Sequence, residues 1–375
     1  MSRFNDISAR TLALTEPSQL PAIDWSLVGQ TAPTLVQFTY GGADTAPPKA
    51  DAIVMTWTSA EWAAMDHVFI RNAVAESPSS AMPSSSSWYL YSRGAPASSS
   101  SSGGKLWGYY QLIRINSVAG GSRTVLLFKS DAHLAHSPYL KGLTKEVQDL
   151  IADVSPSRIY SIGTAGGATD QQNLGDVAIT NGATCQLTLS ENARSTDNGR
   201  TFTCTTFFPN TTNLLPRVQQ KLFYKLNQVV TLAELQNILT QAKAQSQNKS
   251  LIPYTLNDLM NNPIQPSNLG APKAVDFQGT PLLTTDTYFI AKGNTPAYAA
   301  LEMDDGVVAA AAAALSIPFA FIRNISDAVI VTTDHAGRPI PSDAREAWSS
   351  EQYDHFGVYS SFNGALAAWA TLADW

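Results

Sequence analysis

Cysteine and charged side chains are both scarce in this chain of 375 residues. The two cysteines, Cys185 and Cys204, are too few for a disulfide framework, and their spacing fits no common metal motif. Buried free thiols are therefore the simplest interpretation. Only 14% of the residues are charged, the net charge is −6, and no basic run occurs. This composition argues against a protein that binds nucleic acid or an anionic membrane.

Long apolar runs are also missing. No segment approaches the roughly 20 apolar residues that a membrane-spanning helix needs, and the N-terminal segment lacks the apolar core of a signal peptide. We therefore expect a cytoplasmic protein. Hydrophobic residues make up 44% of the chain, which is enough for a sizeable core in one large or two ordinary domains.

Predicted strands alternate with predicted helices along most of the chain. Apolar runs predict strands at 52–57, 106–116, 124–129, 158–162, 176–180, 282–289 and 319–326. Helical spacing predicts helices at 59–70, 144–154, 218–230, 232–244 and 346–375, and an Ala-rich helix before 315. This alternation indicates an α/β fold with three layers, α/β/α, around a central mixed and largely parallel sheet.

Two segments interrupt the pattern inside a domain that we place at 51–375. A serine-rich stretch at 76–105 has too little apolar surface to order itself, which predicts a flexible insertion. Polar helices at about 191–270 predict a helical insertion, and 263–281 reads as loop. Residues 1–50, rich in Pro, Thr and Gly, read as an N-terminal arm.

Residues that follow strands are the first candidates for a site, because ligands of such sheets bind at the carboxyl ends of the strands. A glycine-rich turn is predicted at 163–167, where it either approaches a ligand or only connects two elements. Glu61 is either an ordinary first-turn acid or a general base. Asp327, at the end of an apolar strand, is either a helix cap or a general acid.

Further acids and aromatic residues lie at other predicted element ends. Glu302, Asp304 and Asp305 open the Ala-rich helix, where the helix dipole alone would favour them. Asp286 lies at a predicted strand end. The nearby Tyr288 and Phe289 either belong to the core or stack on a flat ring.

Several separated motifs, in the right order, resemble the nucleoside phosphorylase/nucleosidase superfamily, most closely its methylthioadenosine/adenosylhomocysteine nucleosidase branch. Ile159-Tyr-Ser-Ile-Gly-Thr-Ala-Gly-Gly167 and Leu174-Gly-Asp-Val177 are similar to its Gly-Ser-Ala-Gly-Gly and Gly-Asp segments. Thr284-Thr-Asp-Thr-Tyr-Phe289 resembles its Ser-Gly-Asp-x-Phe loop, and Leu301-Glu-Met-Asp304 its Val-Glu-Met-Glu motif. Ile317-Pro-Phe-Ala-Phe-Ile-Arg-Asn-Ile-Ser-Asp327 resembles its Val-Pro-Phe-x-x-x-Arg-x-Ile-Ser-Asp strand.

The resemblance implies hydrolysis of an N-glycosidic bond, with release of a purine from a nucleoside or nucleotide. Asp327 would protonate the purine at N7, Tyr288 would stack on the purine, and the Phe289 backbone would contact its edge. Met303 and Asp304 would hold the ribose hydroxyls. The resemblance also assigns to the substrate site Thr164, Ala165, Gly166 and Glu302.

Glu61 aligns with the acid that activates water in the hydrolytic branch. A phosphorylase would need glycine and arginine around its phosphate, but Thr56–Glu61 has no glycine and Phe128–His133 has no arginine. Lys129 or His133 leaves an anion contact open. The alternatives are therefore a phosphate-dependent purine nucleoside phosphorylase and a non-catalytic nucleoside-binding, sensory or storage protein.

The chain departs from the family pattern at Asp304, which stands where the family has Glu, and at Thr285, which replaces a glycine. The helical insertion would reshape the pocket on the 5′ side of the sugar. Candidate contacts to a bulky or charged 5′ group are Lys129, His133, His136 and Arg217. The resemblance implies no metal or organic cofactor, and a homo-oligomer (dimer, trimer or hexamer).

Overall fold

The computed structural model describes residues 20–71, 74–75, 88–96, 106–169, 172–193, 201–260, 270–287, 298–329 and 333–375. Of the predicted insertion at 76–105, only 88–96 belongs to these residues, so the predicted flexibility of the rest stays a prediction. The first 19 residues of the predicted arm also lie outside them. The rest of the arm contains a short 3-10 helix at Trp25–Val28 and a strand.

One mixed sheet contains the strands of the described chain. The strands are β1 Thr34–Leu35, β2 Ala52–Thr56, β3 Val74–Ala75, β4 Tyr89–Tyr91, β5 Gly108–Asn116, β6 Ser122–Ser130, β7 Arg158–Gly167, β8 Val177–Thr180, β9 Gly182–Gln186, β10 Thr201–Thr205, β11 Ala274–Asp276, β12 Leu282–Thr285, β13 Ala300–Glu302 and β14 Phe319–Ala328. The order runs β10-β9-β12-β13-β7-β2-β6-β5-β1-β3. In addition, β14 pairs with β7 and β8, β11 with β8, and β4 with β5.

Helices cover this sheet. They are α1 Ser59–Asp66, α2 Tyr139–Val154, α3 Ser190–Ala193, α4 Leu215–Leu222, α5 Leu226–Val229, α6 Leu232–Ala244, α7 Leu256–Leu259, α8 Asp305–Ala314 and α9 Ser342–Ala373. A π-helical turn, His67–Arg71, continues α1, and a 3-10 helix, Ser246–Leu251, follows α6. None of these helices is both long enough and apolar enough to cross a bilayer.

The side chains of β2 show how the three layers are built. They alternate between the two faces of the sheet, as the pleat of a strand requires. Ile53 and Met55 lie in the apolar cluster that contains α2 and α8. Ala52 and Val54 lie in the cluster that contains α1 and α9. Because β2 pairs in parallel with β6 and β7, and β7 with β14, the predicted fold class is confirmed.

The strands predicted at 106–116 and 124–129 are present and form a hairpin, but the predicted glycine-rich turn is wrong. β5 and β6 pair antiparallel around Gly120 and Gly121, both of which have positive φ. At 163–167, by contrast, the chain continues β7 without turning and pairs with β14 on one side. Glycine is used there for close packing, because a Cβ on Gly166 would lie 2.2 Å from Cγ1 of Val329.

Other boundaries differ from the predictions for local reasons. The predicted helix 218–230 is two helices, α4 and α5, separated by an extended Phe223. The predicted loop 263–281 contains β11, which pairs in parallel with β8. Strands β9, β10 and β13 were not predicted, because they are short and each is defined by its partner strand more than by its own pattern.

Candidate active site

The candidate site lies where β2, β7 and β14 end. These strands are parallel, so their carboxyl ends point to the same edge of the sheet. Glu61 comes from the start of α1 directly after β2, and Thr164 from β7. Arg323 and Asp327 come from β14, and Asp304 occupies the position just before α8. Residues that are far apart in the chain are thereby brought together.

Glu61 is held first by its own helix start. Thr58 is the N-cap of α1, and its hydroxyl accepts the Glu61 N–H at 3.4 Å. In return Oε2 of Glu61 accepts the N–H of Thr58 at 2.9 Å, which completes a capping box. The same oxygen accepts the N–H of Trp57 at 3.0 Å and the hydroxyl of Thr56 at 2.9 Å. The interpretation of Glu61 as a first-turn acid is therefore correct as far as it goes.

The second oxygen of Glu61 leaves the helix and binds the neighbouring strand. Oε1 accepts the N–H of Thr164 at 2.7 Å and its hydroxyl at 2.8 Å. Burial disfavours the charge, but the nearby Arg323 and the backbone N–H donors outweigh it, so the pKa of Glu61 lies below its usual value. Only glycine fits at 163, since a Cβ would lie 2.1 Å from Nη1 of Arg323. Glu61 is thus a buried, ionised carboxylate that faces an arginine.

Arg323 is the cation around which the acids assemble. Its Nε donates to Oδ2 of Asp305 at 2.7 Å and its Nη2 to Oδ1, a bidentate pair. Nη2 also donates to the hydroxyl of Ser161 at 3.2 Å and lies 3.3 Å from Oε2 of Glu302. The guanidinium stacks 4.9 Å from the Trp57 ring centroid. All its charge is thereby directed at protein groups.

Glu302 closes the start of α8. Its Oε2 accepts the N–H of Asp304 at 2.7 Å and of Asp305 at 2.8 Å, and its Oε1 accepts the Thr284 hydroxyl. Burial, and after it the charge of Asp305, raises the pKa of Glu302 to about 7. Because both of its oxygens are bound to protein donors, Glu302 fixes the start of α8 and supports the position of Asp304. Met303, which was predicted to contact ribose, is half-buried beside it.

Asp304 points from the start of α8 to the end of β6. Its Oδ1 accepts the N–H of Leu134 at 3.2 Å, and its Oδ2 lies 3.1 Å from Nε2 of His133. Burial raises the pKa of Asp304 to about 8. Burial likewise lowers the pKa of His133 to about 4. At neutral pH this pair therefore consists of a protonated acid and a neutral imidazole.

Asp327 sits at a bulge in β14, where the pairing with β7 shifts register and Asp327 stands opposite Gly166. Oδ1 accepts the hydroxyl of Ser326 at 2.7 Å, and Oδ2 accepts the hydroxyl of Ser349, from α9, at 2.8 Å. Tyr353, one turn further along α9, is near both candidate catalytic acids. Burial, and after it the charge of Glu61, raises the pKa of Tyr353, and the charges of Asp354 and Asp327 act in the same direction.

The other predicted ribose and purine contacts are divided. Ala165 and Gly166 are buried in β7 beside Thr164. Tyr288 and Phe289 lie outside the described residues, so their predicted contacts to the purine stay predictions. Asp286, just before them, supports the fold, because its two oxygens accept the N–H groups of Thr188 and Leu189 at 2.8 Å each. These bonds fix the segment before α3.

The four candidate contacts to a charged 5′ group do not form one cluster. Lys129 is buried and paired with Asp131 near the site. The rings of His133 and His136 are stacked with centroids 5.2 Å apart. Arg217 is at the other end of the molecule, near Asp374 at the end of α9. A helix rises about 1.5 Å per residue, which puts this end roughly 37 Å along α9 from Ser349. Arg217 is excluded from the site.

No protein-family model matches this chain, and no curated protein matches it. Solved structures do. A 5′-methylthioadenosine/S-adenosylhomocysteine nucleosidase of Neisseria meningitidis, in complex with methylthio-immucillin-A, is 11% identical, with a TM-score of 0.45 over 87% of this chain and 100% of that one. An S-adenosylhomocysteine nucleosidase of Streptococcus pyogenes is 12% identical (TM-score 0.44, 88% and 98%). The futalosine hydrolase of Helicobacter pylori is 10% identical (0.44, 87% and 98%).

These neighbours are the kind of protein to which the sequence motifs point. At such identities and TM-scores, however, the similarity is no evidence about the reaction or the substrate of this chain. The chemistry has to follow from the side chains that the fold brings together.

Sequence reasoning gave no role to three residues of this edge. Arg323 was part of a family-like strand motif, and a charged residue inside an otherwise apolar strand was the signal that could have found it. Ser349 and Tyr353 carried no such signal, because they lie in the middle of a long helix. Among the described residues, no group of three or more His, Cys, Asp or Glu is arranged to hold a metal ion.

Proposed function

We propose that this chain is an enzyme that hydrolyses the N-glycosidic bond of a purine nucleoside or nucleotide. The observation that carries the proposal is the convergence of Glu61, Asp304 and Asp327 on one sheet edge, with Arg323 near Glu61 and Asp304. Cleavage of this bond builds positive charge on the sugar ring and negative charge on the leaving base. An ionised acid on one side of the bond would stabilise the positive charge on the sugar. A proton donor on the other side would neutralise the negative charge on the base.

We assign the leaving base to Asp327. Its carboxyl lies at the end of β14 and is oriented by two serine hydroxyls, one on each oxygen. A carboxyl group held in this way can hydrogen-bond or protonate N7 of a purine, so that the base departs without a full negative charge.

We assign the water and the developing sugar cation to Glu61. This carboxylate is ionised at neutral pH, because its pKa lies below the usual value. Its two oxygens already accept five hydrogen bonds, two of them from the hydroxyls of Thr56 and Thr164. Hydroxyls can rotate away whereas backbone N–H groups cannot, so these two are the donors that a water molecule would replace.

Hydrolysis is favoured over phosphorolysis by the charges of this edge. A phosphate dianion needs converging cations, but Arg323 is paired with Asp305, and Lys129 with Asp131. A phosphorylase would have to break two ion pairs, of which Arg323–Asp305 is fully buried, before it could bind its second substrate.

A non-catalytic nucleoside-binding protein is the second candidate. The observation in its favour is the same set of five hydrogen bonds on Glu61, because a fully occupied carboxylate is a weak base. The cytoplasmic location, a homo-oligomeric state and the predicted domain limits of 51–375 stay predictions.

One assay distinguishes these functions. We would incubate the purified chain with purine nucleosides and nucleotides, with and without inorganic phosphate, and follow the free base by chromatography. Release of base without phosphate is expected. Strict dependence on phosphate would instead identify a phosphorylase. Calorimetric binding of a nucleoside without release of base would identify a binding protein.

The role of Asp327 is tested by Asp327→Asn. Loss of a positioned general acid is expected to lower kcat by roughly 10² to 10⁴. Ser349→Ala is the matched control: it removes one hydrogen bond to the same carboxyl and should lower kcat far less. If Asp327→Asn kept wild-type kcat on a purine nucleoside, the leaving-group assignment would be wrong.

A further inference from the structure

A short clamp, residues 133–136, holds Asp304 from the side opposite α8. It follows β6, and an antiparallel bridge between His133 and His136 closes it. The two imidazole rings are nearly parallel, with an interplanar angle of 17° and centroids 5.2 Å apart. Asp304 lies against this clamp and is only 3% exposed. Its direction is therefore set by the clamp as much as by its own helix.

Hydrogen bonding within the clamp fixes the tautomer of His133. The N–H of Ala135 donates to Nδ1 of His133 at 3.0 Å, so Nδ1 carries a lone pair. In a neutral imidazole the proton must then be on Nε2, and Nε2 lies 3.1 Å from Oδ2 of Asp304. We therefore assign His133 as a donor to Asp304. A second proton would have to displace the Ala135 N–H.

The Leu134 N–H donates to Oδ1 of Asp304, and Nε2 of His133 lies 3.1 Å from Oδ2. A carboxyl group that is protonated has one hydrogen of its own to donate. Neither the Leu134 N–H nor a protonated Nε2 of His133 can accept that hydrogen, so it is available to a further acceptor. Sugar hydroxyl oxygens accept such bonds.

We propose that His133 is a positioning residue, which orients Asp304 so that this acid donates a hydrogen bond to a hydroxyl of the sugar. The proposal rests on the proposed function, because it names how the nucleoside would be recognised. The pKa of Asp304, about 8 because of burial, agrees with a protonated acid at neutral pH. The charged or titratable groups that act on this pair include Glu61, Lys129, His136, Glu146, Asp305 and Arg323.

Two substitutions separate the positioning role from the role of His133 in its own turn. In His133→Gln the amide nitrogen can reach Asp304 as Nε2 does, but the bond from Ala135 is lost. In His133→Asn the short amide can accept from Ala135 but cannot reach Asp304. Positioning predicts that the Asn variant raises KM roughly 5- to 30-fold, whereas the Gln variant stays within about threefold of wild type.

If His133→Gln raised KM more than His133→Asn did, only the bond from Ala135 would matter, and the proposal would be overturned. Equal increases of KM in both variants would overturn it as well. Sugar discrimination is a second readout. The wild type is expected to prefer a ribonucleoside over its 2′- or 3′-deoxy analogue, and His133→Asn is expected to lose that preference about tenfold. An unchanged preference in a folded His133→Asn variant would also contradict the proposal.

The pH profile tests the donor itself. Since the pKa of Asp304 is raised, its proton is present below about pH 8 and is lost above it. KM of the wild type should therefore rise above pH 8. Asp304→Asn should show no such rise, because an amide does not ionise. If the rise persisted in Asp304→Asn, another group would be responsible.

Nitrogen-15 NMR of labelled histidine tests the clamp without any turnover. We expect His133 as the neutral Nε2–H tautomer at pH 7, with a shift that changes as Asp304 ionises near pH 8. A charged or Nδ1–H imidazole would overturn the proposal. A chain that releases no base, but has this tautomer and loses nucleoside affinity in His133→Asn, would refute the proposed hydrolysis and support the clamp.

Discussion

Two helices of this protein begin with the same local motif in very different surroundings. Thr58 and Glu61 form a capping box at the start of α1, and Thr231 and Glu234 form one at the start of α6. In both boxes the threonine N–H donates to the glutamate, at 2.9 Å and 2.7 Å. In both boxes these bonds help to lower the pKa of the glutamate. Sequence alone cannot distinguish the two.

The difference lies in what else each glutamate contacts. Glu234 is exposed, and its carboxylate accepts the N–H and the hydroxyl of Thr231 within its own capping box. Glu61 is 2% exposed and accepts hydrogen bonds from Thr164 on a neighbouring strand. The positive charge of Arg323 also lowers the pKa of Glu61. The motif starts a helix in both places. Only at the end of β2 does it also put an ionised carboxylate into a buried, charged site.

Among the substitutions that test this difference between the two glutamates, Arg323→Met is expected to have the largest effect on stability. Removal of one partner from a buried ion-pair network leaves Asp305, Glu302 and Glu61 without their cation, which is expected to destabilise the protein by about 3 to 5 kcal/mol. Urea unfolding at pH 7 measures the effect. The surface pair Lys145–Asp149 provides the control: Lys145→Met should change the free energy of unfolding by less than about 1 kcal/mol.

The pH dependence of the Arg323→Met effect identifies its cause. If uncompensated acids are responsible, the loss should shrink as the pH falls and the acids become protonated. A loss that stays constant down to pH 3 would point to packing against Trp57 instead.

Glu61→Gln and Glu234→Gln compare the two capping boxes directly. At Glu61 the amide places a donor against fixed backbone N–H groups in a buried site, so we expect a loss of about 1 to 3 kcal/mol at pH 7. At Glu234 water can replace the lost bonds, and the effect should be much smaller. Urea unfolding of both variants measures the difference.

The sign of the pH dependence follows from the lowered pKa of Glu61. The stability that an ionised Glu61 contributes is present above the ordinary pKa of a glutamate and disappears as the pH falls through the lower, folded value. The difference between wild type and Glu61→Gln should therefore vanish in acid. Kinetically, Glu61→Gln should lower kcat by roughly 10² to 10⁴. Unchanged kcat would show that Glu61 is a structural cap only.

Much of the fold was predictable, because patterns of apolar residues decide which segments are strands. β2, the β5–β6 hairpin and β14 lie almost where the apolar runs place them. The prediction failed where an element depends on its neighbours. The glycines at 163–167 continue β7 because β14 pairs alongside them and Arg323 fills the space above Gly163. No local pattern carries that information.

The site was predictable in part, for the same reason. Strand ends located Glu61 and Asp327, and the resemblance ordered them. Which acid is ionised was not predictable, because it depends on donors that come from distant parts of the chain. The carboxylate of Glu61 accepts hydrogen bonds from Thr164 on β7. The carboxyl of Asp304 accepts the N–H of Leu134 and lies beside the ring of His133. The pKa values of these two acids are therefore shifted in opposite directions, although both acids are buried to a similar extent.

The smallest effect is expected for Thr164→Val. This substitution removes the hydroxyl that donates to Oε1 of Glu61, so that Glu61 has fewer contacts outside its capping box, as Glu234 does. Valine keeps the branched shape and suits a strand, and the Thr164 N–H to Oε1 is retained. We expect a loss of about 0.5 to 1.5 kcal/mol in urea unfolding at pH 7. This loss should disappear in acid, because the lost hydroxyl stabilises the ionised form of Glu61. The vacated lone pair would be available to water, so kcat should be maintained or rise. A large fall in kcat would instead show that the Thr164 hydroxyl itself orients the water molecule.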